Sequence, residues 1–164
     1  MADSSKDIRI VWDTGLQEGD FDFDTGIQDL DSDEGLETAV IISLFTDRRA
    51  RIDDTLPDPN SSDRRGWWGD LISPQANGDQ IGSRLWLLNR EKTLENVLQR
   101  AKEYTEEALN WLIDDGVAES VQVETERQGL VGNDRLAIKA KILRKSGNEQ
   151  VFDFSAQWTA QAAR

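Results

Sequence analysis

The side chains able to do chemistry in this 164-residue chain are its 32 acids, its 19 lysines and arginines and its six tryptophans; histidine and cysteine are absent. Without histidine there is no imidazole base, no Ser-His-Asp triad and no histidine metal site. Without cysteine there is no disulfide, no thiolate nucleophile and no thiolate metal site. Carboxylate chemistry, lysine chemistry or no chemistry remains. A pair of carboxylates, one protonated and one ionised, is the machinery of a glycosidase. With so many acids such pairs arise by number alone, and a solvated acidic surface accounts for them better. Asp20-Phe21-Asp22-Phe23-Asp24 opens like a calcium loop, with Ile27 at its apolar position. The pattern then breaks, because Thr25 replaces the required glycine and Asp31 the bidentate glutamate. Alternating Asp and Phe equally describes a half-exposed strand. No metal and no cofactor is expected.

Asp63-Arg64-Arg65-Gly66-Trp67-Trp68-Gly69-Asp70 is the most unusual stretch. Tryptophan and arginine are the residue types that most often anchor protein interfaces, being large, amphipathic and able to bond in a fork. The glycines let the backbone bend sharply and either present the rings or tuck them in. In the plainer reading both indoles form a satellite core under a long loop. Adjacent side chains on irregular chain rarely point the same way, which favours exposure of at least one. Arg64, Arg65, Trp67 and Trp68 are the candidate partner-binding residues from composition. The later run Gly82-Ser83-Arg84-Leu85-Trp86-Leu87-Leu88 reads as core, with Arg84 and Arg90 paired to acids.

The elements that must position this stretch follow from periodicity. Asp7-Ile8-Arg9-Ile10-Val11-Trp12-Asp13 alternates like a strand, and so does Gly19–Asp24 with Phe21 and Phe23 on one face, which predicts an N-terminal hairpin turning near Gly15. A helix is expected from about Glu34 to Arg49, capped by Ser32 or Asp33 and closed by Arg48, Arg49 and Arg51. Its broad apolar face, Leu36, Ala39, Val40, Ile41, Ile42, Leu44 and Phe45, predicts deep burial. All three prolines fall between Asp53 and Gln80, which reads as an irregular loop too long to be a mere connector. Thr93 to Asp115 carries apolar residues at steps of three and four and ends at Gly116, a long helix. Beyond it the period is two, through Val121–Thr125, Leu136–Ile142 and Phe152–Trp158, joined by turns at 129–134 and 146–148. The fold class is α+β: a hairpin, two main helices, and a C-terminal antiparallel meander, as one domain spanning 1–164.

A net charge of −13 opposes binding to nucleic acid or to an anionic membrane, since both are bound by neutralising phosphate. Ile10 to Asp47 holds eleven acids and no Lys or Arg. No apolar run approaches the ~20 residues of a membrane-spanning helix, and the first residues lack the apolar stretch of a secretory signal. The same charge predicts a monomer or weak oligomer in isolation.

Four stretches carry a resemblance. They are Gly35–Val40 with Ser43–Ala50, Asp63–Asp70, Gly82–Leu88, and Ala108–Ala118. Together they resemble the Mu-like phage small baseplate protein family, over about Asp7 to Trp158. The resemblance implies a structural part of a contractile tail baseplate, similar to the wedge and sheath-initiator proteins sometimes called lysozyme-like. It implies a non-enzyme present in six copies in the virion, assembled in the host cytoplasm beside wedge, hub and sheath proteins. The wider wedge family carries a Glu-Pro-Arg tripeptide that this chain lacks; Thr46-Asp47-Arg48-Arg49 falls where its helix-end part would stand. That placement adds Arg48 and Arg49 to the partner-binding set. The alternatives are a carboxylate-based cell-wall glycosidase and a cytosolic acidic binding adaptor.

Overall fold

The computed structural model describes residues 7–13, 16, 18–21, 23–24, 29–30, 32–33, 35–71, 80–89, 95–129 and 135–156. The N-terminal part is built of short ribbons. Strands β1 (Asp7–Ile8), β2 (Ile10–Asp13), β3 (Glu18–Phe21), β4 (Phe23–Asp24), β5 (Asp29–Leu30) and β6 (Ser32–Asp33) pair antiparallel as β1–β6, β2–β3 and β4–β5. The expected hairpin is present as β2–β3, with Ile10 opposite Phe21 and Asp13 opposite Glu18. Gly15, placed at its turn, lies outside the described residues.

Helix α1 runs Leu36–Phe45, shorter at both ends than the expected Glu34–Arg49. Ser32 and Asp33 do not cap it, because both sit in β6 opposite Ile8 and Asp7. Gly35, at φ 79°, takes the cap position instead. The far end stops early because the backbone changes partner. Arg48 N–H donates to the Ser83 carbonyl, and Ser83 N–H donates to the Thr46 carbonyl, both at 2.9 Å. Arg48, Arg49 and Arg51 therefore follow the helix on non-helical chain. Gly82 makes this approach possible, since a Cβ there would lie 2.3 Å from the Thr46 oxygen. Leu36, Val40, Ile41 and Leu44 are buried as expected, whereas Ile42 is exposed. Thr38 and Ser43 are buried too, accepting hydrogen bonds from Ile10 N–H and the Trp111 indole N–H, each at 3.0 Å.

The long helix is two. Helix α2 spans Glu95–Leu109 and α3 spans Trp111–Asp114. Thr105 Oγ1 donates back to the Ala101 carbonyl at 2.8 Å, which competes with regular α bonding. At the break Asn110 N–H slips to three-residue spacing, on the Glu107 carbonyl at 3.5 Å, and four-residue bonding resumes from Asp114 to Asn110 and from Asp115 to Trp111. Gly116, at φ 73°, then ends the helical chain. Val97, Ala101, Tyr104, Ala108 and Leu109 form the buried face of α2.

The C-terminal meander is as expected, with β7 (Ala118–Gln128), β8 (Arg135–Arg144) and β9 (Glu149–Ala156) in spatial order 7-8-9. Val123 pairs with Ala140 and Ala140 with Phe152; Thr125 pairs with Ile138 and Ile138 with Phe154. These facing positions put Leu136, Ile138, Ala140, Ile142 and Phe154 into the core. Trp158 lies outside the described residues. The core has two parts. Leu136 and Ile138 pack with a 3-10 helix, Leu85–Leu88, and the first half of α2; Ala140 and Ile142 pack with α1, α3 and the end of α2.

Candidate functional site

The Arg-Trp loop is pinned to the chain that follows α1. Ala50 N–H donates to the Arg64 carbonyl at 2.9 Å, and Arg64 donates to the carbonyls of Arg51 and, at 3.0 Å, Ile52. Asp63 Oδ1 accepts from Arg65 N–H at 2.8 Å, closing a tight turn. Arg65 and Gly66 then take left-handed backbone, at φ 51° and 104°. A side chain at Gly66 would press its Cβ to 2.7 Å from the Cβ of Arg49. The close packing of these two segments therefore needs glycine.

Beyond this turn stand the indoles. The Trp67 ring lies over Gly69, where an added Cβ would sit 2.1 Å from ring carbons. Trp68 opens a 3-10 helix, Trp68–Leu71. The two rings are 5.5 Å apart and tilted by 44°, with Trp67 40% and Trp68 68% exposed. Ile52, held beside Arg64, is 91% exposed. The tryptophans face water, not a satellite core.

Arg65 is tied inward. Its guanidinium lies 2.7 Å from Asp47 Oδ2 and 4.5 Å above the Trp86 ring. Trp86 is buried and donates its indole N–H to the Arg48 carbonyl at 2.8 Å. Arg48 reaches Gln80 Oε1 at 3.3 Å and Glu107 at 3.6 Å. Arg49 donates to the Arg65 carbonyl at 3.3 Å.

Beneath the loop is a closed ionic network. Arg84 is buried and lies 2.8 Å from Asp54 Oδ1 and 2.6 Å from Glu107 Oε2, with its guanidinium 4.4 Å above the Tyr104 ring. Glu107 also accepts from Arg51 at 2.7 Å. Burial alone would lower the Arg84 pKa, but the hydrogen bonds and charges of Glu107 and Asp54 outweigh it and hold the pKa above the ordinary arginine value. The network ties α2 to the start of the loop and to the 3-10 helix.

The structure thus separates the six candidates. Arg48 and Arg65 join the inner contacts. Arg49, Trp67 and Trp68 are exposed, and Arg64 is half-buried against the Arg51 and Ile52 carbonyls. Arg84, read from sequence as acid-paired core, has that position, while its partners Asp54 and Glu107 were not foreseen; they stand 30 and 23 residues away. Arg90 lies outside the described residues. Among the described residues no three acids are arranged to hold a metal ion. Asp20 and Asp24 lie in β3 and β4, and Asp22, Thr25 and Asp31 lie outside the description. No described helix is long and apolar enough to cross a membrane.

The sequence that builds this site has counterparts among phage proteins. The family model described as phage protein GP46 matches residues 36–149, from the first residue of α1 to the first of β9, and the chain belongs to that family. It is 50% identical over 121 residues to the baseplate protein gp46 of Escherichia phage Mu, covering 74% of this chain and 77% of the relative. It is 37% identical over 156 residues to the Mu-like prophage FluMu protein gp46 of Haemophilus influenzae, covering 93% of this chain and 98% of that relative.

Proposed function

We propose that this chain is a structural component of a contractile phage tail baseplate, placed as a wedge or sheath-initiator part. The observation that carries the reading is the outward Arg-Trp loop, mounted on a core that fixes its backbone at Gly66, Gly69 and Gly82. The names of the Mu and FluMu relatives supply the setting. The chain works as one domain, by assembly and not catalysis. The most enclosed acids of the network, Asp54 and Glu107, are engaged by arginines, an arrangement that fixes structure. Its partners are other wedge, hub and sheath proteins. It is monomeric or weakly oligomeric alone, present in six copies in the virion, and joins the tail in the host cytoplasm.

The test is to silence its gene in the phage or prophage that encodes it and to image the tails. Missing or aberrant baseplates, restored by supplying the chain in trans, are the expected result. Normal tails would overturn the reading, and so would turnover of peptidoglycan by the purified protein.

A further inference from the structure

We propose that the partner's contact on this loop is an acidic segment carrying an aromatic or large apolar side chain, contributed by another tail protein. This rests on the docking role assigned to the loop above. Most arginines around the loop already meet carboxylates: Arg48, Arg51 and Arg84 at Glu107, Arg84 also at Asp54, and Arg65 at Asp47. Among the described residues Arg49 and Arg64 do not. Their guanidinium groups are held by backbone carbonyls, of Arg65 for the first and of Arg51 and Ile52 for the second. A carbonyl orients a guanidinium without neutralising it. Each guanidinium has five N–H donors in a fixed fork, so both keep donors free for a carboxylate.

In a chain with 32 acids and 19 bases, Arg49 and Arg64 are two oriented cations whose guanidinium groups meet no carboxylate among the described residues. They are also beside apolar surface. Arg64 is bonded to the Ile52 carbonyl, and Arg49 abuts Gly66, next to Trp67 and Trp68. Ile52, Trp67 and Trp68 together supply exposed apolar area, and the indoles a π face. A carboxylate on each fork with an apolar ring against Trp68 satisfies both features at once. A basic partner would meet the cations with repulsion and leave the forks unused. The backbone holding them is already fixed, so little ordering is required on binding.

The probe is a fluorescent peptide alternating aspartate and phenylalanine, titrated against the intact protein at low and high salt. Controls replace its acids with lysine, replace its phenylalanines with alanine, or substitute a single-stranded oligonucleotide of equal charge. Salt-sensitive binding is expected, weakened roughly thirtyfold by Trp68→Ala and at least as much by Arg64→Glu, the scale of an interface hot spot. Trp68→Ala should show wild-type melting, as its exposure predicts; Arg64 is half-buried and bonds the Arg51 and Ile52 carbonyls, so Arg64→Glu is read at a temperature where its own melting curve shows it folded. Equal binding of the lysine peptide or of the oligonucleotide would overturn the proposal. So would salt-sensitive dimerisation of the chain abolished by Arg64→Glu, which would make a second copy the occupant. Incorporation into tails is scored separately. If both variants fail to incorporate while the peptide never binds, docking stands and the acidic partner falls. If the peptide binds and both variants incorporate normally, acid binding stands and the docking role falls.

Discussion

Two clusters of arginine and aromatic side chains lie within the same loop system, and they differ in whether they are finished. Around Arg84 every guanidinium edge has a counterpart: Asp54 on one side, Glu107 on the other, and the Tyr104 ring below. Around Arg49 and Arg64 the bonds go to backbone, and the neighbouring indoles face water. A closed network fixes the loop to α2. An open one is available to something else. Residue type does not distinguish them; the number of unmet donors and the exposed area do.

The comparison breaks most sharply at its buried side. Arg84→Ala would leave Asp54 and Glu107 with their buried partner removed, costing about 3–5 kcal/mol, the usual penalty for breaking a buried pair. Trp86→Ala should cost about as much, by loss of a buried ring. Thermal melting of the two variants reads both. A loss of less than about 1 kcal/mol at Arg84 would show that water reaches the network and that it is not closed.

Next comes the joint between the clusters. Gly82→Ala places a Cβ 2.3 Å from the Thr46 oxygen at a backbone φ of 98°. The contact is with backbone, which cannot swing aside, so the Thr46–Ser83 pairing must open. A destabilisation on the order of 2–3 kcal/mol is expected from the strain and the lost bonds. Amide exchange at Ser83 and Arg48 should rise in parallel. If melting falls while those amides stay protected, the joint is not where the strain goes.

The exposed side should respond in the opposite sense. Trp68→Ala ought to change melting by less than about 0.5 kcal/mol, as surface substitutions do, while reducing incorporation into tails. Against Trp86→Ala this is a direct contrast of two tryptophans eighteen positions apart. A melting loss of several kcal/mol at Trp68 would return it to the core.

How much of this could be read beforehand depends on the range over which each feature is specified. The meander was legible because alternation is local: Leu136, Ile138, Ala140 and Ile142 announce one buried face with no knowledge of their partners. The ends of α1 were not, since Ser32 and Asp33 resemble helix caps until β1 arrives to pair with them. The charges after α1 resemble a helix end until Ser83 draws Thr46 and Arg48 into non-helical chain. The break after Leu109 was masked by apolar spacing that continues through Leu112, although hydrogen bonding slips at Asn110. The Arg-Trp loop stood out by composition. Which of its arginines remain unpaired is decided by Asp47, Asp54 and Glu107, and Glu107 is distant in sequence, so spacing alone could not sort them.

The smallest effect tests what an ion pair is worth when neither partner is buried. On the solvent face of the meander, Lys141 Nζ lies 2.6 Å from Glu124 Oε1. The hydrogen bond from Lys141, and then its charge, lower the Glu124 pKa; the bond to Glu124 and its charge raise that of Lys141. A lowered carboxylate pKa adds stability above the unfolded value, lost as pH falls through the folded one. A raised ammonium pKa adds stability below the unfolded value, lost as pH rises through the folded one. The pair is therefore complete on the plateau between the two titrations and weakens at either end. Both groups are solvated, so salt should erase the effect. An NMR titration should find the Glu124 carboxyl below the ordinary glutamate range at low salt and within it at high salt. Glu124→Gln should leave the melting temperature unchanged within error at neutral pH, whereas the penalty of Arg84→Ala should persist in the same high salt. A salt-insensitive Glu124 shift, or an Arg84→Ala penalty that disappears with salt, would mean that burial is not what separates the closed pairs of this protein from the open ones.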